Sequence, residues 1–164
     1  MGAPMNPEHS WPIPPAGGWT ADDLDTLPNL PPHTELIDGS LIFVSPQTLF
    51  HSRAVTFFER QIESLVPEGL EVLREFTIDI DRHNRPEPDV IVCREDVVND
   101  LAQTRLPAEA VLLAIEVMPP ESIDRDRETK SVAAGIFHDR LKVSDPFPID
   151  LDLTGIMPKR RRPE

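Results

Sequence analysis

Two almost uninterrupted apolar runs, Val90-Ile91-Val92-Cys93 and Ala110-Val111-Leu112-Leu113-Ala114-Ile115, constrain this chain more than any other feature. Short runs of this kind, rich in β-branched residues, read as strands that are apolar on both faces and covered on both sides. Each run is bordered by an acid. Asp89, after Pro88, opens the first, and Glu116, between Ile115 and Val117, lies near the close of the second. A carboxylate beside such a run is costly to desolvate unless a partner compensates it. Both acids also have an ordinary reading, Asp89 as a turn residue starting a strand and Glu116 as a solvated strand end.

The rest of the chain supplies what such a sheet needs. Thr20-Ala21-Asp22-Asp23-Leu24 reads as a short helix with Thr20 as N-cap and acids in its first turn, stopped by prolines 28, 31 and 32. Residues 35–44 read as a hairpin turning at Asp38-Gly39, a strong tight-turn pair. From Thr48 to Leu65 the apolar positions Val55, Phe58, Ile62 and Leu65 recur at helical spacing, and Pro67-Glu68-Gly69 closes the helix. Residues 71–80 alternate, with Val72, Arg74, Phe76, Ile78 and Ile80 expected on one face of a strand. Residues 82–86 form a polar turn. A second helix is expected from Ser122 or Asp124 through Lys130 to about Ala134. Residues 147–153 alternate apolar and acidic, which fits an edge strand that tolerates Pro148. The sum is an α/β domain with a mixed central sheet flanked by helices.

A length of 164 residues suits one domain with a modest core. Of the 19 prolines, eleven fall before residue 50 or after residue 157, so the ends are expected to be irregular. The organisation expected is an arm over residues 1–19, a domain over 20–156 and a basic tail over 157–164. Sixteen basic against 29 acidic side chains give a net charge of −13. That field repels nucleic acid and anionic membranes, which argues against a passive DNA coat. It leaves room for a metal-dependent enzyme, whose site must be acidic to hold its cation. Cys93 is the single cysteine, so no internal disulfide forms; a reducing, cytoplasmic setting and a buried thiol are expected. The N-terminus lacks the pattern of a signal peptide, and no apolar run is long enough to span a membrane, so no membrane partner is expected.

Hard divalent cations take carboxylate and backbone oxygens, and they both activate water and neutralise phosphate charge. If the strands carrying Asp89 and Glu116 are neighbours, the two carboxylates converge on one ion, with the Val117 carbonyl as a third oxygen. Lys130, on the following helix, would then orient the water or stabilise the phosphate; an exposed helix lysine is the ordinary alternative. Glu35 is either a further acid of the site or an ordinary strand-edge glutamate. The histidines show no ligand spacing, which argues against zinc. His51 is the one close to the hairpin, and a satisfied helix histidine is its simplest reading.

Taken together, Glu35-Leu36-Ile37-Asp38-Gly39, Ser45-Pro46 with His51 shortly after, Pro88-Asp89-Val90, Ile115-Glu116-Val117 and Asp124-Arg125-Asp126-Arg127-Glu128-Thr129-Lys130 resemble the Uma-two family. That family is restriction-endonuclease-like and belongs to the PD-(D/E)xK nuclease superfamily. The resemblance implies Asp89 and Glu116 as metal carboxylates for Mg²⁺ or Mn²⁺, Lys130 as the catalytic lysine and Glu35 as the acid ahead of the core strands. It implies an endonuclease, a hydrolase acting on DNA, with a homodimer as an assembly to consider. The lysine usual two positions after the glutamate is replaced by Met118. The chain also departs from the family after Lys130, where it runs almost directly into a closing segment, as if several dozen residues had been deleted. Residues 133–142 are therefore expected to be irregular, with an exposed sheet edge nearby. The deletion opens an alternative function, that of a non-catalytic shortened relative acting as a binding module.

Overall fold

The computed structural model describes residues 13–44, 46–118 and 135–156. Helix α1 (Ala21–Thr26) begins where the sequence places it. The Thr20 hydroxyl accepts from the Asp23 N–H, and the Asp23 carboxylate accepts from the Thr20 N–H at 2.9 Å, a reciprocal capping box. Strands β1 (Glu35–Ile37) and β2 (Ser40–Ile42) pair antiparallel around Asp38 and Gly39, whose φ values are 47° and 74°. Two successive residues with positive φ make the type I′ turn that matches strand twist. Gly39 meets a second demand as well. A Cβ there would lie 3.3 Å from the Gly18 Cα, and the Gly39 carbonyl accepts from the Trp19 N–H at 2.7 Å.

Helix α2 (Leu49–Glu63) is capped by the Thr48 hydroxyl and buries Ala54, Val55, Phe58 and Ile62. That face packs on a three-stranded antiparallel sheet in the order β3 (Leu70–Arg74), β5 (Val90–Arg94), β7 (Val111–Ile115). Central β5 is enclosed from Val90 to Cys93. Val90 and Val92 face the α2 core, while Ile91 and Cys93 join Ile78 and Leu106 in a second core behind the sheet. Burial pushes the Cys93 thiol up to about 11.

The second core is built by β4 (Thr77–Asp79) and β6 (Arg105–Pro107), which pair parallel. Residues 71–80 are thus two strands rather than one. The chain breaks at Glu75, where φ is 47° and the N–H donates to the Asp89 carbonyl. Beyond the break β4 leaves β5 for β6, which sends Val72 to the α2 core and Ile78 to the other and leaves Ile80 exposed. β7 also differs from its sequence reading. It lies at one end of the sheet, and Leu112 and Ala114 are exposed rather than covered.

The C-terminal segment is more ordered than the sequence suggested. β8 (Arg140–Val143) pairs antiparallel with β9 (Ile149–Asp152), and Leu141, Phe147, Ile149 and Leu151 all enter the α2 core. The apolar side of β9 found a helix to cover it; residues 135–139 are irregular, as expected, but the irregularity stops at Arg140, where β8 begins, rather than running to residue 142. Asp150 and Asp152 face solvent, as an edge strand requires. The expected second helix and Lys130 lie outside the described residues, as does the basic tail. The α/β class holds. Among the described residues its strands divide into four small sheets, and α2 covers one face of the largest.

Candidate active site

Asp89 sits on the bend that enters β5 and is only 8% exposed. Its carboxylate is held from two sides. Oδ1 lies 2.7 Å from His51 Nε2, and Oδ2 accepts from the Val117 N–H at 2.6 Å. A carboxylate only accepts, so the Nε2 proton of His51 occupies the first bond. His51 is the third residue of α2, whose amino end therefore lies against the head of β5. Sequence reading gave His51 no role because its partner is 38 residues away and on another element.

β5 and β7 are neighbours, with Val90 opposite Ile115. Asp89 immediately precedes β5 and Glu116 immediately follows β7, at the same end of the pair. Ile115 and Val117 pack in the α2 core, while Glu116 between them is exposed. The strands that the two acids border are neighbours, and Val117 is bonded to Asp89 through its backbone.

Glu35, on β1, contributes differently. Its Oε1 accepts from the Glu87 N–H at 3.0 Å, and Leu36 exchanges two backbone hydrogen bonds with Arg85. The hairpin thus braces the Arg85-Pro86-Glu87-Pro88 segment that delivers Asp89. Glu87 is tied down further by the Thr77 hydroxyl and by His33 Nδ1. The Glu87 bond and charge raise the His33 imidazole above its usual value. Beneath lies a four-membered ion network: the buried Arg85 and the half-exposed Arg105 each reach both Asp25 and Asp79, at 2.6–3.1 Å. Lys130 falls outside the described residues.

No group of three or more His, Cys, Asp or Glu side chains that could hold a metal occurs among the described residues. A hard cation such as Mg²⁺ needs fewer, because it keeps several waters and takes only one or two protein carboxylates. The donors present fit that demand. Each Asp89 oxygen accepts one hydrogen bond and retains a second lone pair, Val117 has a backbone oxygen, and Glu116, an exposed residue engaged in an interaction of its own, adjoins Val117. The set is all oxygen, which suits Mg²⁺ or Mn²⁺ and not a thiolate-loving ion.

No helix among the described residues is long and apolar enough to cross a membrane. A search of curated proteins finds no match to the chain. A family model does match, over residues 21–133, and its description reads "Putative restriction endonuclease". The match spans well over half of the chain and includes Glu35, His51, Asp89, Glu116 and Lys130. The chain belongs to the Uma2 family and is restriction-endonuclease-like.

Proposed function

We propose that the chain is a metal-dependent nuclease that hydrolyses DNA phosphodiesters, with Asp89 and Glu116 as the carboxylates that hold Mg²⁺ or Mn²⁺. Family membership supports a nuclease. One observation carries the metal reading: a nearly buried carboxylate, Asp89, at the head of β5, is held by His51 and by the backbone that leaves β7 next to Glu116, through two donors that leave lone pairs on both of its oxygens. When bound, the cation would lower the pKa of a water and offset phosphate charge.

The chain's own groups do the rest. Asp89 and the Val117 carbonyl would orient the cation at the sheet end, and Glu116 would close the set from the solvent side. Glu35 keeps the segment ahead of Asp89 in place through the Glu87 N–H. Lys130 is proposed to position the attacking water or to steady the phosphate as charge grows on it. The net charge of −13 disfavours long-range attraction of DNA, so engagement should fall off with salt only weakly if few phosphates are contacted.

Incubation of plasmid DNA with the protein and Mg²⁺ or Mn²⁺ tests this reading. Nicking or linearisation that stops on chelation and is lost in Glu116→Gln supports it. Lys130→Ala should slow cleavage and leave cation binding intact. A protein that binds the cation and retains DNA without cutting it would instead be the binding module.

A further inference from the structure

We infer that His51 is a positioning residue for the cation site: its imidazole fixes the Asp89 carboxylate so that its remaining lone pairs stay directed to a divalent ion. The inference rests on the metal reading of Asp89 given above. Three features of the structure lead to it.

First, Asp89 is pinned at both oxygens, by His51 Nε2 at 2.7 Å and by the Val117 N–H at 2.6 Å. Two donors on two oxygens fix the side-chain torsions and the tilt of the carboxylate plane. Second, His51 is itself anchored: its backbone N–H donates to the Thr48 hydroxyl at 3.2 Å, it lies on a helix whose next turn buries Ala54 and Val55, and it is 8% exposed. Third, the three parts of the clamp come from α2, the entry to β5 and the end of β7, so no local sequence preference produces it. The imidazole is directed from the first turn of α2 to the one acid that opens β5.

A carboxylate held in this way loses little orientational freedom when it binds an ion. Removing a hydrogen-bond partner behind a metal-binding side chain costs on the order of 10- to 100-fold in affinity. A purely structural His51 would tie α2 to the sheet and contribute to stability, with no effect on cation affinity in the folded protein. The two roles therefore separate in one measurement.

The experiment is calorimetric titration of the full chain with Mn²⁺ alone, at a temperature where circular dichroism shows every variant folded. The wild type should bind, and Asp89→Asn should not. His51→Ala should bind about 10- to 100-fold more weakly. His51→Gln, whose Nε2 amide can donate to Asp89 from nearly the same place, should recover most of the loss. Should His51→Ala fail to fold, His51→Phe fills the space without a donor and takes its place. Wild-type affinity in the donor-less variant, with binding still abolished by Asp89→Asn, would overturn the positioning role and leave the proposed function standing. No Mn²⁺ binding by the wild type would overturn both.

Discussion

Replacing Ile149 with alanine should cost this protein a large part of its stability, because the C-terminal hairpin is built into the α2 core. Ile149 is 1% exposed and shares that core with Val55, Phe58 and Ile62. Alanine removes all of the side chain beyond Cβ. At about 0.8 kcal/mol for each buried carbon group the transfer loss is roughly 2.4 kcal/mol. The void left behind raises the cost to about 3–4 kcal/mol, within the range for such truncations. In a chain of this size that lowers Tm by roughly 6–16 °C. Urea unfolding followed by circular dichroism reads it directly, with Leu112→Ala as the control. Leu112 is 42% exposed on the outer face of β7, and its truncation should cost about 1 kcal/mol or less. Equal, small losses for the two variants would refute the placement of β9 in the core.

Three other outcomes follow from the same geometry. Arg85→Ala should destabilise by about 2–4 kcal/mol, since Arg85 is buried beneath its two aspartates, whereas Arg105→Ala, half exposed on the same pair, should cost about 1 kcal/mol or less by urea unfolding. Cys93 should resist alkylation by iodoacetamide in the folded protein and react promptly in urea, because it is fully enclosed and its thiol is pushed up to about 11. The His33–Glu87 bond raises the folded-state value of His33, so its small contribution should be fully present below the unfolded histidine value of about 6.5 and fade as pH rises through the higher folded value. A Tm advantage of the wild type over His33→Asn that grows toward alkaline pH would contradict that sign.

Features set by near neighbours in the chain were legible in the sequence. The Thr20 capping box, the Asp38-Gly39 turn and the apolar stripe of α2 each depend on residues within a few positions of one another. Features set by distant partners were not. The alternation from Val72 to Ile80 continues unbroken in sequence, yet the strand divides at Glu75 because β3 belongs to β5 and β4 to β6. The apolar run of β7 reads as covered on both faces, and only its position at the sheet end exposes Leu112. Asp89 and Glu116 were visible as acids bordering apolar runs, and their strands are indeed neighbours. His51 was not visible as a site residue, since the signal was a lone histidine and its meaning lies in Asp89. The available clues were that it opens the helix after the hairpin and that it stands among the residues that resemble the family.

The most direct test of the central claim is cleavage of supercoiled plasmid in Mn²⁺ by the wild type and by Asp89→Asn, side by side. The substitution keeps the shape of the side chain and removes the charge that holds a hard cation. Thermal melts should first show both proteins folded. The account predicts divalent-dependent cleavage by the wild type, none after chelation, and a loss of at least about 100-fold in Asp89→Asn, the scale of a catalytic interaction worth about 2.7 kcal/mol or more. A folded Asp89→Asn protein that cuts at the wild-type rate, or a wild type that cuts equally well in chelator, would contradict it.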